Sequence, residues 1–277
     1  PTTARRQRQM CIRDRTSSFH GRTIGALSVG SNKKYKSNIG PVPGQVKFCK
    51  FNDVSHLKKL VNKKTVAIII EFVQGDGGIN ICSKKFAKAI KEICKNKKIL
   101  LIGDEIQGGI GRTGKIFAYK HYGVNPDIIT SAKGLGSGIP IGVTIVKKYI
   151  SKIISTGFHG STFGGGMLQT RVSYNVFKTI NNKSFLNKVL INGNLLSSLM
   201  KKIHHLHKDK IVDTRCLGLM AGVEFKNNQI ALKTYEKMSK NGLISTLIQG
   251  NIIRLTPPLT VSTGEIRKAI KIITQSL

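Results

Sequence analysis

Apolar positions along this chain follow two rhythms. Val66-Ala-Ile-Ile-Ile70 and Ile99-Leu-Leu-Ile102 are unbroken β-branched and aliphatic runs of strand length. Between them Phe86, Ala87, Ile90 and Ile93 recur at helical spacing. Strand, helix, strand with continuous apolar strands predicts a parallel sheet covered on both faces, so the fold class expected is α/β. Ile128-Ile129 reads as the end of a third buried strand. Further on the rhythm becomes helical through Val172, Val176 and Ile180, then Leu186, Val189, Leu190, Leu195, Leu196 and Leu199. A glycine-punctuated stretch from Val212 to Phe225 and the run Ile252-Ile253-Arg254-Leu255 before Pro257-Pro258 read as strands. The tail from Gly264 to Leu277 reads as an amphipathic helix through Ile266, Ile270 and Ile273. The division expected is a large domain over 16–172 and a smaller α+β domain over 173–277.

The ends of the apolar runs carry the chemistry. The first stops at Glu71, the second is followed by Gly103-Asp104-Glu105-Ile106-Gln107, and the third by Lys133 set among Gly134, Gly136 and Gly138. Ligands of open parallel sheets sit outside the carboxyl ends of the strands. Glu71, Asp104, Gln107 and Lys133 are therefore expected to gather along one edge. A lysine partly desolvated there has a depressed pKa, and its neutral amine is a nucleophile.

Composition narrows the function classes. The formal charge of +33 invites a nucleic-acid reading, but the lysines are dispersed and aromatics are only 6% of residues, with none interleaved for base stacking. No specific nucleic-acid partner is expected. The five cysteines form no C-x-x-C pair or zinc spacing, which suits a reduced, cytoplasmic setting. No apolar run approaches a membrane span. Gly109 to Lys115 approximates a phosphate-binding P-loop, but Ile116 stands where that loop needs a hydroxyl. Residues 1–15 hold five arginines and no lysine in a lysine-rich chain, with no strand or helix period. They resemble translated adaptor sequence and are set aside as a non-native leader.

Six motifs in order then resemble one family. Phe19-His-Gly-Arg-Thr23, Glu71-Phe-Val-Gln-Gly75, Asp104-Glu-Ile-Gln107 with Gly111-Arg-Thr-Gly114, Pro126-Asp127 with Ala132-Lys133-Gly-Leu-Gly136, His159-Gly-Ser-Thr-Phe-Gly-Gly165 and Ile253-Arg-Leu-Thr-Pro-Pro-Leu259 are similar to the class III pyridoxal-phosphate aminotransferases. The resemblance runs from about Thr16 to the C-terminus, and the Phe-His-Gly-Arg and Ala-Lys-Gly-Leu-Gly forms point to the acetylornithine-type members.

That resemblance implies the fold-type-I architecture of pyridoxal-phosphate enzymes, a homodimer with shared active sites, and amino-acid and 2-oxo-acid substrates. The implied reaction moves the amino group of acetylornithine, or a related ω-amino acid such as ornithine or 4-aminobutyrate, to 2-oxoglutarate in arginine biosynthesis. By the same resemblance Lys133 holds pyridoxal 5'-phosphate, Asp104 faces its ring nitrogen, Gln107 and Glu105 contact it, and Phe19 stacks on it. Thr162 reaches the phosphate of the partner subunit's cofactor. Arg22, Ser161, Arg254 and Asp76 are implied on the substrate side, with Asp76 standing where a glutamate that pairs with Arg254 is usual. The family also carries a phosphate-binding Gly-Thr segment ahead of the first motif, so the chain is expected to be an N-terminally truncated form.

Overall fold

The computed structural model describes residues 11–37 and 39–277. Strands are β1 Cys11–Arg15, β2 Gln45–Cys49, β3 Thr65–Glu71, β4 Val73–Gln74, β5 Asn80–Ile81, β6 Leu100–Asp104, β7 Ile128–Ser131, β8 Val143–Val146, β9 Ile211–Leu217, β10 Met220–Phe225, β11 Thr246–Ile248 and β12 Ile252–Leu255. Helices are α1 Ile24–Val29, α2 Val54–Leu60, α3 Lys84–Lys97, α4 Lys148–Ser151, α5 Met167–Ile180, α6 Lys183–Leu206, α7 Asn228–Lys240 and α8 Thr263–Ser276.

The first sheet has the order β2-β1-β3-β6-β7-β8, parallel throughout except for β8, which runs antiparallel at one edge. The continuous apolar runs are β3 and β6, as their lack of alternation predicts. Helix α3 begins where the Ser83 side chain accepts the Phe86 N–H, and ends at Lys98 in the left-handed region, φ 51°. It seats Phe86, Ile90 and Ile93 in a core with Leu57 of α2 and with Ile68, Ile70 and Leu101 of the sheet. The second sheet, β11-β12-β10-β9, is antiparallel. Its buried residues Ile211, Val223, Phe225 and Ile253 meet Val189, Leu196 and Met200 of α6, Met238 of α7 and Ile266, Ile270 and Ile273 of α8. Helix α8 opens with a reciprocal cap, Ser262 with Glu265. A division between residues 172 and 173 would cut α5, which is one unbroken helix.

Strand β1 overturns part of the sequence reading. Residues 1–10 lie outside the described residues, but Cys11–Arg15 is not a detached leader: it pairs in parallel with β2 on one side and β3 on the other. The period was hidden because the residues that alternate are charged. Arg13 stands opposite Ile68 and so faces the apolar layer under α2 and α3, as does Arg15 two residues on. Asp14 points to the opposite face. Arg13 and Arg15 are fully buried. Arg13 Nε donates to the Leu60 carbonyl at 2.7 Å, and the Arg15 guanidinium lies 5.1 Å from the centre of the Phe86 ring. Among the described residues Arg13 Nη2 and Arg15 Nε and Nη2 have no hydrogen-bond partner. Burial pulls the Arg15 pKa below its ordinary value.

The glycine loop after β6 serves close packing. A side chain at Gly114 would come within 2.3 Å of Leu190 on α6, and one at Gly111 within 2.6 Å of Ile180 on α5. Both have positive φ, 83° and 79°. The P-loop-like stretch is thus packed against helices at Gly111 and Gly114. Arg112 inside it donates to the carbonyls of Leu219, at 3.1 Å, and Pro257, at 2.5 Å, tying this loop to the second sheet.

Candidate functional site

Glu71, Asp104 and Thr130 stand in register at the carboxyl ends of β3, β6 and β7, and alternation puts them on the same face as Asp14. This is the predicted gathering. Asp104 is buried; its Oδ1 accepts the Ile106 N–H at 3.0 Å and its Oδ2 lies 2.5 Å from His20 Nδ1. The other nitrogen, His20 Nε2, is 3.2 Å from Asp14 Oδ1, and the Ser18 hydroxyl donates to Asp14 Oδ2. Burial alone would lower the His20 pKa, but the hydrogen bonds to Asp104 and Asp14 reverse that and raise it well above the ordinary value. Glu71, buried and accepting N–H groups of Phe19 at 3.0 Å and Gly75 at 3.4 Å, is pushed up to about 8 by desolvation.

The charges decide what this cluster can receive. His20 lies buried between the two acids Asp14 and Asp104, so the cluster holds more acidic groups than basic ones. A buried acid is costly without a counterpart, so Asp104 suits a cationic ring N–H. That is a fit to the pyridine nitrogen of pyridoxal phosphate, which an adjacent carboxylate keeps protonated.

Lys133 follows β7 by two residues and opens a 3₁₀ turn, Lys133–Gly136, with its own φ at 46°, in the left-handed region that non-glycine residues seldom occupy. It borders two cavities. One, of about 690 Å³, is also lined by Gln107, Arg254, Asn175 and Phe185. The other, of about 890 Å³, is lined by His159, Ser161, Phe163 and Gln169. Desolvation lowers the Lys133 pKa, with Asp76 raising it and Arg254 lowering it further. The predicted nucleophilic amine is thus poised between two openings.

Asp76 sits in the loop between β4 and β5. Although a methylene shorter than the family's glutamate, it reaches Arg254 on β12: Nη1 donates to Asp76 Oδ1 at 2.9 Å. Gln107 Nε2 donates to Asp76 Oδ2 at 3.0 Å, so this side chain serves the ion pair.

Other expected residues lie elsewhere. Glu105 is not turned toward the cavities: both its oxygens are occupied by the N–H groups of Ala118, at 2.7 Å, and Tyr119, at 2.8 Å. It fastens the start of the 3₁₀ turn Ala118–His121 and is a positioning residue. Arg22 lies over the Tyr35 ring, 4.7 Å from its centre, and Phe19 meets the same ring edge-on at 5.7 Å. Phe19 and Asp76 border a third cavity of about 590 Å³ with Tyr35 and Gln249. Ser161 lines the same cavity as Phe163 and Lys133, and the adjacent Thr162 is exposed. Sequence reasoning assigned no role to His20, although it lies inside a quoted motif, and none to Asp14, which was set aside with the leader.

A pH dependence follows from the raised groups His20 and Glu71, joined by Glu105, which burial also pushes up to about 8. His20 contributes stability that is complete below its unfolded value of 6.5 and is lost as pH rises through its higher folded value. Glu71 and Glu105 contribute stability present below 4.5 and lost as pH climbs to about 8. All three act in the same direction between pH 6.5 and 8. Thermal melts are expected to show the melting temperature falling across that window, with a shallower fall in His20→Gln; a flat or rising parent profile would contradict the charge assignment.

The sequence profile described as aminotransferase class-III matches residues 2–277. Ornithine aminotransferase 1 of Staphylococcus saprophyticus is 38% identical over 262 residues, covering 94% of this chain and 65% of the relative. The acetylornithine aminotransferase of Methanocaldococcus jannaschii is 39% identical over 254 residues, covering 90% and 62%. Two structures of the Toxoplasma gondii ornithine aminotransferase superpose at TM-scores of 0.91 and 0.90, each with 27% identity and covering 99% of this chain and 69% of theirs. The second of these was crystallised with oxidised glutathione and has partial occupancy of pyridoxal phosphate at its active site. A mostly parallel sheet with an acid and a lysine at its carboxyl edge is the α/β architecture this chain shares with those structures. The chain belongs to the class-III aminotransferases, and it spans less than two thirds of the length of those two curated relatives.

Proposed function

We propose that this chain carries the lysine-bearing part of an acetylornithine-type aminotransferase that uses pyridoxal 5'-phosphate, in arginine biosynthesis. The single observation that carries this reading is the pair formed by Lys133, on the rim of two cavities, and Asp104, hydrogen-bonded to His20 at the neighbouring strand end. When bound, the cofactor supplies an electron sink that stabilises negative charge at the amine-bearing carbon of a substrate. Lys133 is the amine that would hold the cofactor and would move the proton at that carbon. Asp104 keeps the ring nitrogen protonated. Arg254, with Nε buried and unpartnered, binds the second carboxylate of 2-oxoglutarate. Acetylornithine gives up its amino group and leaves as the semialdehyde, and 2-oxoglutarate leaves as glutamate.

A homodimer and a cytoplasmic setting complete the reading. Phe158, Phe163, Met167 and Leu168 are large apolar side chains left exposed beside Ser161 and Thr162, which suits a face covered by a second subunit. In that arrangement Thr162 contacts the phosphate of the partner's cofactor, while Phe19, Arg22 and Ser161 complete the ring and substrate contacts. Cys49, Cys82, Cys94 and Cys216 are free thiols, and among the described residues no helix is long and apolar enough to cross a membrane.

The test is reconstitution with pyridoxal phosphate, on this chain and on a version extended with the N-terminal part of a longer relative, followed by a panel of acetylornithine, ornithine and 4-aminobutyrate with 2-oxoglutarate. Acetylornithine is expected to give the highest kcat/KM. Lys133→Ala is expected to abolish the visible absorbance of the bound cofactor and all turnover. Absorbance that survives this substitution would reject the lysine, and preference for ornithine would shift the donor within the family.

A further inference from the structure

The Asp76–Arg254 pair is closed by a third side chain that the pairing itself does not require. Gln107 spans it: Nε2 donates to Asp76 Oδ2 at 3.0 Å, and Oε1 accepts from Arg254 Nη1 at 3.4 Å, while the same Nη1 donates to Asp76 Oδ1 at 2.9 Å. The three groups form a ring of hydrogen bonds. The ring is anchored from the second sheet by Gln249 Nε2, which donates to the Asp76 carbonyl at 2.7 Å. Space for the Gln107 amide exists because residue 75 is glycine: a Cβ there would lie 2.1 Å from Oε1. Gln107, Arg254 and Lys133 all line the cavity of about 690 Å³, so whatever opens the ring does so beside the reactive amine.

We infer that Gln107 is the latch of this gate, a positioning residue that sets how readily Arg254 is released to bind an anionic ligand group, and hence how strongly the site favours a dicarboxylate over an uncharged ligand of the same length. With the ring closed, Arg254 Nη1 is taken up by Asp76 and Gln107. A ligand carboxylate must take Arg254 away from Asp76, and every hydrogen bond the ring loses in that exchange counts against binding. The shorter Asp76 reaches Arg254 through one oxygen only, and the second oxygen is held by Gln107. Closure therefore depends on the amide as well as on the ion pair. This inference deepens the proposed function, since it concerns the acceptor side of that site, but it is tested without cofactor or turnover.

The experiment is isothermal titration of the chain with glutarate and with its neutral isostere glutaramide. Gln107→Ala removes the latch and is expected to tighten glutarate binding about 2- to 10-fold, the range of one or two ordinary hydrogen bonds. Gln107→Glu places a second carboxylate on Arg254 and is expected to weaken it several-fold. Gly75→Ala, which drives the amide out of the ring without altering it, should act like Gln107→Ala and carries the test if that variant folds poorly. Arg254→Met should abolish the preference for glutarate, and glutaramide affinity should stay unchanged throughout. Opposite signs for Gln107→Ala and Gln107→Glu are the signature, because a merely structural role would move both the same way. Unchanged or weaker glutarate binding in both Gln107→Ala and Gly75→Ala, or an equal shift for glutaramide, overturns the latch. Reconstitution that fails while this pattern holds would remove the proposed function and leave the gate standing.

Discussion

Asp104→Ala is expected to lower amine transfer about 10²- to 10³-fold and, independently, to destabilise the fold by about 3–5 kcal/mol. The first effect follows from losing the charge opposite the ring nitrogen. The second comes from His20. Its imidazolium is buried between Asp14 and Asp104, and removing the nearer acid, at 2.5 Å, leaves a buried cation short of a partner. Asp104→Asn separates the two. It keeps the shape and can still accept the Ile106 N–H, while the charge is gone. His20 is then expected to lose its proton near neutral pH, so the stability loss should be smaller than in Asp104→Ala and the activity loss similar. Urea unfolding with initial rates checks both. An Asp104→Ala variant as stable as the parent would show that the cluster is not a charged one.

The second large effect has the opposite sign. Arg13→Ile with Arg15→Met is expected to stabilise the chain by about 2–4 kcal/mol, raising the melting temperature by roughly 6–12 °C. Both guanidinium groups face the apolar layer beneath α2 and α3, and among the described residues three of their nitrogens have no partner. Removing this buried charge recovers a desolvation cost larger than the hydrogen bonds lost at the Leu60, Ile12 and Asp14 carbonyls. Isoleucine suits the strand beside Ile68, and an unbranched methionine follows the path of Arg15 across Phe86. Asp14, on the other face, must be left in place, because it holds His20. Calorimetry of the double variant decides the point; a lower melting temperature would mean that the two arginines find partners in solution.

These two predictions show where the sequence was legible. Strands β3 and β6 and helix α3 announced themselves because their buried positions are filled by apolar residues, so periodicity and burial coincide. Lys133 and Asp104 were legible because they stand where such runs stop, and parallel sheets put those stops on one edge. Strand β1 was illegible for the reverse reason: arginines fill its buried positions, and only its neighbours β2 and β3 define it as a strand. The resemblance pointed to the pairing of Asp76 with Arg254, but the part of Gln107 in that ring could not be read, since a glutamine three residues after Asp104 carries no sign of which neighbour it serves. Glu105 shows the converse error. The resemblance implied that Glu105 contacts the cofactor, but consecutive residues at a strand end point in different directions, and Glu105 faces backbone N–H groups.

The central claim is that one lysine among many receives the cofactor. The most direct measurement is borohydride reduction of the reconstituted chain, which fixes pyridoxal phosphate to the amine it occupies, followed by mass mapping of the peptides. The account predicts one equivalent of label on Lys133, lost in Lys133→Ala and not transferred to another site. Label scattered over surface lysines, or concentrated on a lysine remote from Asp104, would contradict it.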